Sequence, residues 1–206
     1  MTYKVEVIRK NEFKVSNWSG GTTTEIAIYP KDALYSERNF LWRISSAKVE
    51  AEESVFTSLP NINRIIMIID GEFVLKHEGH HECLLKPFEQ DSFSGSWITK
   101  SYGRVTDFNL MTNRECKGEL EAVHIANDNV KKIEINNKAN GFSKLTQAIY
   151  CVNGNINIRI PSNEIFTISK GDAILITSKD TQKNQYFSIY NEDAIESDII
   201  YACIWY

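Results

Sequence analysis

The chain has 206 residues, of which 42% are hydrophobic, and its formal net charge is −4 at neutral pH. This length and apolar content are typical of one large domain or two small ones that build their own hydrophobic core. Its 23 lysines and arginines form no basic block, and no apolar run approaches the roughly 20 residues of a membrane helix. We therefore expect no nucleic-acid partner and no membrane segment. The charged N-terminus predicts no signal peptide and a cytoplasmic location.

Strand patterns dominate the sequence in chain order. Most apolar stretches alternate with polar residues and are rich in valine, isoleucine, threonine and aromatic residues, which is typical of half-buried β-strands. Short turn signals separate them, and long helical patterns are nearly absent, so an all-β barrel or sandwich is favoured. The last predicted strand is either part of a core or the seam of a dimer. The clearest predicted strands are residues 3–8, 24–29, 40–50, 71–77, 155–160, 172–177 and 198–206.

An internal repeat relates residues 68–95 to residues 150–177. Turn glycines Gly71 and Gly154 are 83 positions apart, and Asp91 and Asp172 are 81 positions apart. A near-constant offset predicts two copies of one β unit. The order of strands and turns resembles the cupin pattern, so we predict an all-β bicupin, with two cupin-type jelly-roll β-barrels in one chain. The predicted division is 1–115 for the N-terminal barrel and 116–206 for the C-terminal barrel, with sharing of strands left open.

The histidines do not follow the metal-binding spacing of many cupin enzymes, which use two histidines one residue apart, a glutamate and a later histidine. The candidates here are His77, His80, His81 and Glu82. Neighbouring residues of an extended chain point to opposite sides, so His80 and His81 are not expected to share one ion. We predict a solvated hairpin tip, no metal and no cofactor. Four scattered cysteines are expected to be reduced thiols.

Three predicted strands carry polar side chains on one face, because side chains alternate along a strand. Two interpretations stay open: the polar faces are wet surface, or they line a cavity in which buried charges pair with each other or with a ligand. Among these residues, Glu25 and Asp107 are conceivable acid–base partners. The predicted faces hold Thr23, Glu25, Ala27 and Tyr29 on the first strand, Arg43 and Ser45 on the second, and Asp107, Asn109 and Met111 on the third.

Aromatic residues and an arginine near these strands add to the second interpretation. Trp18, Phe93, Trp97 and Tyr102 supply flat apolar surfaces. Arg64 stands at the start of an apolar strand, where it either binds a carboxylate through two hydrogen bonds or caps the preceding loop. Glycines such as Gly20, Gly21 and Gly95 are interpreted as turn residues.

Five sequence blocks resemble, in order, the motif blocks of the HutD/Ves family, bicupin proteins linked to histidine utilisation or environmental stress. They are NWSGGTTTEIAIYP (17–30), FLWRISSAKVE (40–50), FTSLPNINR (56–64), KPFEQDSFSG (86–95) and DFNLMTNR (107–114). The resemblance covers roughly residues 14–114 directly and implies a two-cupin fold, a cytoplasmic location and often a homodimer. No enzymatic activity is established for that family.

The resemblance also implies a pocket in the N-terminal barrel. From it we expect a regulatory protein that binds a small anionic carboxylate metabolite, such as formylglutamate. Two alternatives stay open: a metal-free cupin enzyme that uses Glu25 and Asp107 as acid and base, and a dimeric interaction module without catalysis. The implied ligand-binding residues are Trp18, Thr23, Glu25, Arg43, Ser45, Arg64, Phe93, Asp107, Asn109 and Met111.

Overall fold

The computed structural model describes residues 3–135, 141–178, 185–192 and 195–206. In these ranges the chain forms antiparallel β-strands and two 3₁₀ helices, Lys10–Glu12 and Tyr35–Glu37, and no helix in them is long and apolar enough to cross a membrane. The described strands are β1 (Lys4–Ile8), β2 (Lys14–Trp18), β3 (Gly21–Tyr29), β4 (Trp42–Val49), β5 (Glu53–Val55), β6 (Ile62–Asp70), β7 (Phe73–His77), β8 (Glu82–Leu85), β9 (Gln90–Ser94), β10 (Thr99–Tyr102), β11 (Val105–Asn113), β12 (Lys117–Ile125), β13 (Val130–Glu134), β14 (Leu145–Asn153), β15 (Asn155–Arg159), β16 (Ile165–Ser169), β17 (Ala173–Ser178), β18 (Tyr186–Tyr190) and β19 (Ser197–Trp205).

The chain divides into two compact units, each with two sheets. The first unit spans Phe13–Gly118 and contains a six-stranded sheet, in the order β2-β3-β4-β11-β6-β9, and a four-stranded sheet, β5-β10-β7-β8. The second unit combines the chain up to Glu12 with the chain from Glu119 onward. Its sheets have the orders β1-β17-β14-β19-β12 and β13-β18-β15-β16. The predicted all-β fold is therefore confirmed.

The N-terminal strand belongs to the second unit, whereas the sequence division placed it with residues up to 115. β1 pairs with β17, from Lys4 opposite Thr177 to Ile8 opposite Ala173. The turn after β1 is also fixed there, because the Arg9 guanidinium donates a 2.8 Å hydrogen bond to the Asp172 carboxylate. The sequence left open whether the two barrels share strands. In the structure, β1 is an edge strand of the second unit, to which the C-terminal half of the chain contributes the other strands.

The C-terminal strand β19 is a core strand, one of the two roles that the sequence allowed. It lies between β14 and β12, and Ile199, Ile200 and Ile204 are fully buried. The apolar core of this unit is rich in isoleucine, which suits a buried pleated surface.

A β-bulge interrupts β3. Glu25 pairs with Ser45, but Ala27 pairs with Ile44, so Ile26 is the extra residue. The predicted face that joined Thr23, Glu25, Ala27 and Tyr29 is therefore wrong beyond Glu25. Tyr29 instead stacks on Trp42 on the opposite face, with ring centroids 5.7 Å apart.

Candidate functional site

Polar residues of the first unit form three rows across the six-stranded sheet. Residues paired directly on neighbouring strands point to the same face. Strand β4 supplies the central member of the first two rows, because β3 pairs with it on one side and β11 on the other. Strand β11 supplies the central member of the third row, because it lies between β4 and β6. The rows are Thr23, Ala47 and Asp107; then Glu25, Ser45 and Asn109; then Arg43, Met111 and Arg64.

This face borders a cavity of about 400 Å³ within the first unit. Residues that the sequence analysis missed complete the wall, among them Ser16, Tyr35, Ser54, Phe56 and Ser101. Phe56 follows β5 in the block FTSLPNINR, and its irregular segment carries no alternation that could have revealed it. The predicted residues that line the cavity are Trp18, Thr23, Arg43, Ser45, Arg64, Asp107, Asn109 and Met111.

Glu25 does not line the cavity but pairs with an arginine that does. The Arg43 guanidinium, only 5% exposed, donates from Nε to Glu25 Oε2 at 2.8 Å and from Nη1 to Ser45 Oγ at 3.0 Å. The Tyr35 ring covers the guanidinium, whose carbon lies 4.4 Å from the ring centroid. Arg43 thus has its charge neutralised and its geometry fixed before any ligand arrives.

Arg64 has a different environment, although it is 6% exposed. Its guanidinium lies over the rings of Phe56 and Phe93, at 4.6 and 5.2 Å from their centroids. Its Nε is buried and has no hydrogen-bond partner among the described residues. Burial lowers the pKa of Arg64 to about 10, although electrostatic interactions with Tyr35 and Asp107 act to raise it. The side chain is therefore still a cation at neutral pH.

Phe93 does not line the cavity, in contrast to its implied role. Its ring belongs to the apolar core formed with Ile66, Phe73 and neighbouring residues. The ring packs against the Arg64 guanidinium, so Phe93 helps to position Arg64 without lining the cavity.

Unpaired polar atoms accumulate on the cavity wall. Asp107 Oδ1, Asn109 Oδ1 and Ser54 Oγ join Arg64 Nε as buried atoms without a hydrogen-bond partner among the described residues. Asp107 is 4% exposed. Burial raises its pKa to about 7, although Arg64 and the backbone N–H of Ala47 oppose this. Because buried polar groups are normally satisfied, the cluster indicates a site built for a polar ligand.

The structure does not support a dyad of Glu25 and Asp107. Glu25 stands on β3 and Asp107 on β11, separated by β4 and belonging to different rows. Glu25 is already bound to Arg43. Among the described residues that line the cavity, Asp107 alone has a carboxyl side chain.

The histidine hairpin combines an exposed tip with a buried histidine at the end of β7. His77 is 2% exposed, because it continues the inward series of Phe73 and Leu75 along β7. Its Nε2 lies 2.9 Å from Asp91 Oδ2, and His81 Nε2 lies 3.0 Å from the same oxygen. His80 instead stacks on Trp97, with ring centroids 3.7 Å apart. The predicted tip, residues 78–82, is exposed, whereas His77 ends β7 and is buried.

The four cysteines are all described and all free. Burial raises the pKa of Cys83 and Cys203 to about 11 and that of Cys116 to about 12. These side chains are protonated thiols at neutral pH, which does not suit a cysteine nucleophile.

Comparison with known proteins identifies the family. The HutD family model matches residues 10–191. A conserved protein of unknown function from Pseudomonas aeruginosa is 19% identical, with a TM-score of 0.79 over 98% of both chains. HutD from Pseudomonas fluorescens is 22% identical, with a TM-score of 0.70 over 97% of this chain and 98% of that one.

A more distant solved structure is similar over an equal length. The bacterial pirin YhhW from Escherichia coli, solved with nickel(II), is 12% identical, with a TM-score of 0.66 over 98% of both chains. At these identities the structural likenesses establish a fold of the cupin and pirin class. The family model matches most of the sequence, and the chain therefore belongs to the HutD family.

Proposed function

We propose that the protein binds a small carboxylate metabolite, of the formylglutamate type, in the cavity of its first unit and acts as a regulatory binding protein. The observation that carries this proposal is the buried Arg64 guanidinium, whose Nε has no partner among the described residues. A buried cation without a full set of partners is costly, and a bidentate carboxylate would satisfy it.

The charges in the cavity favour an anion over a cation or a neutral ligand. Arg43 is neutralised by Glu25, so Arg64 and Asp107 decide the net charge. Asp107 has a pKa raised to about 7 by burial, so it readily takes up a proton when an anion enters. The ligand then meets one unneutralised guanidinium and a carboxylic acid that can donate a hydrogen bond.

The acceptors in the cavity favour a ligand that also carries a hydrogen-bond donor. Asn109 Oδ1 is buried without a partner among the described residues, and an amide N–H would satisfy it. Phe56 and Met111 supply apolar wall for a short carbon chain. An N-acyl amino acid combines these features, and a cavity of about 400 Å³ lies at the small end of the about 300–1,000 Å³ typical of ligand sites.

The first experiment measures ligand binding by isothermal titration and thermal shift. N-formylglutamate, N-acetylglutamate and glutarate are compared with the uncharged dimethyl ester of N-formylglutamate. A carboxylate at a hundred times its Kd should stabilise the protein by about 2.7 kcal/mol. Arg64→Gln should abolish binding. Arg104→Gln is the matched control, because Arg104 is an exposed arginine of the same unit.

The second experiment tests the amide contact. Asn109→Leu should weaken binding of N-formylglutamate about tenfold, since one buried hydrogen bond is lost, and should leave glutarate binding unchanged. The proposal fails if no carboxylate binds or if Arg64→Gln binds as tightly as the wild type. If Asn109→Leu weakens the binding of N-formylglutamate and of glutarate equally, Asn109 does not contact the amide of the ligand.

A second candidate function is acid–base catalysis by Asp107, favoured by its pKa of about 7. Formate release from N-formylglutamate would be measured with wild type and with Asp107→Asn. Turnover that disappears in the variant while binding persists would establish an enzyme. No turnover by the wild type at saturating ligand would exclude this substrate.

We also propose that this protein acts as a homodimer. Size-exclusion chromatography with light scattering, at two protein concentrations and with or without N-formylglutamate, measures this directly. A monomeric mass under all four conditions would contradict it.

A further inference from the structure

We propose that His77, His81 and Asp91 bind a divalent first-row transition-metal ion, at a site separate from the cavity. One ring nitrogen of each histidine and a carboxylate oxygen of Asp91 lie within 4.8 Å of one another. His77 and His81 flank the hairpin between β7 and β8, whereas Asp91 comes from β9 in the facing sheet. Neither hairpin nor strand alone holds the set.

The distances fit a metal ion without movement of the backbone. Nε2 of His77 and of His81 lie 2.9 and 3.0 Å from Asp91 Oδ2. With metal–ligand bonds of about 2.1 Å, neighbouring ligand atoms of an octahedral ion are about 3.0 Å apart. Two imidazoles and one carboxylate suit nickel, cobalt, iron or zinc, whereas calcium and magnesium prefer oxygen ligands alone. Three protein ligands leave the remaining positions for water.

Hydrogen bonds behind His77 prepare its ring for such an ion. Nδ1 lies 2.8 Å from Thr99 Oγ1, and the Thr99 hydroxyl donates to the Trp97 carbonyl at 3.4 Å. In the His77 tautomer that fits this donation, Nδ1–H donates to Thr99 Oγ1 and Nε2 carries the lone pair. This lone pair then faces an Asp91 oxygen, which is also an acceptor, and a cation between them resolves the conflict. Metal-bound histidines are commonly oriented in this way through their second nitrogen.

Packing and exposure divide the roles of the three ligands. The His77 ring is held between Phe93 and Trp97, with centroids at 4.5 and 5.5 Å. His81 is partly exposed, at 41% of its side chain, so an ion can reach the site from solvent. His77 is thus held in place by its neighbours, and His81 binds the ion from the solvent side.

The test titrates the chelator-treated full-length protein with cobalt(II), nickel(II), zinc(II) and magnesium(II), by calorimetry and tryptophan fluorescence. We expect one transition-metal ion per chain and quenching by cobalt(II), because Trp97 lies beside His77 and His81. His81→Asn and Asp91→Asn should each raise the Kd by more than about 100-fold, the upper range for loss of a merely supporting residue. His80→Asn is the matched control and should bind normally.

Thr99 is tested as a positioning residue. Thr99→Val should raise the Kd by about 10- to 100-fold with unchanged stoichiometry. The proposal is overturned if the wild type shows no saturable binding of the transition metals, or if magnesium(II) binds as tightly as cobalt(II). It is equally overturned if His81→Asn and Asp91→Asn both bind like the wild type.

Discussion

Replacing Asp107 by asparagine should stabilise the protein, and the gain should increase with pH. Burial raises the pKa of Asp107 from 3.8 to about 7. Between these values the folded chain holds a proton that the unfolded chain has released, so the stability of the wild type falls as the pH rises through this window. A difference of about three pKa units corresponds to about 4 kcal/mol. About 2 to 3 kcal/mol of it should appear between about pH 5 and pH 8.

Urea unfolding of wild type and Asp107→Asn across this pH range measures the effect. Tryptophan fluorescence is a suitable probe, because Trp18, Trp42 and Trp97 all lie in the same unit as Asp107. Asparagine keeps an oxygen that can accept the backbone N–H of Ala47, so the substitution removes the charge and little else. Asp70→Asn, at an exposed position on β6, is the control. A stability difference that is constant with pH, or larger in acid, would refute the reasoning.

The other predictions concern the same unit. Glu25→Gln should lower the free energy of unfolding by about 3 kcal/mol, because it leaves the buried Arg43 cation without its partner; Glu50→Gln, which breaks an exposed pair, should change it by at most about 1 kcal/mol. Gly21→Ala should lower the yield of folded protein, since a Cβ there would overlap a backbone carbonyl of β4. The affinity for N-formylglutamate should fall about tenfold per pH unit above pH 7 if Asp107 must be protonated to admit the anion, and a flat profile would contradict this coupling.

Alternation predicted which residues share a face, but it could not say which face is enclosed. Arg43 and Ser45, like Asp107 and Asn109, are two residues apart on straight strands, so they share a face whatever surrounds it. Their burial is decided by residues outside the pattern, such as Phe56 from the irregular segment after β5. A polar face covered by a second sheet has the same period as a polar face covered by water.

The bulge in β3 shows where period-based prediction fails locally. The letters EIAIY continue an ordinary alternation, and nothing in them marks Ile26 as an extra residue. The pairing shifts because Ala27 sits opposite Ile44 and Tyr29 opposite Trp42, where the two rings stack. That preference comes from the tertiary partner, which local sequence does not contain.

The histidine cluster was missed for a different reason. A search for metal ligands by spacing looks for histidines close together in the chain, and it found His80 and His81 pointing apart. The proposed ligand set instead joins His77 and His81 across a hairpin and adds Asp91 from another sheet. The pairing of β7 with β8 brings His77 close to His81. The two sheets of the first unit share an apolar core, and this packing places Asp91 of β9 beside both histidines.

The proposed anion site and the histidine cluster both contact Phe93. Their polar residues are different, so the two proposals can be tested separately. The Phe93 ring packs against the Arg64 guanidinium and also against the His77 ring. Because the two sites share this packing residue but no polar ligand, Arg64→Gln should abolish anion binding and leave the metal Kd unchanged. Asp91→Asn should do the reverse. If either substitution abolishes both, the loss comes from the shared core, and a cavity-creating substitution such as Phe93→Leu should reproduce it.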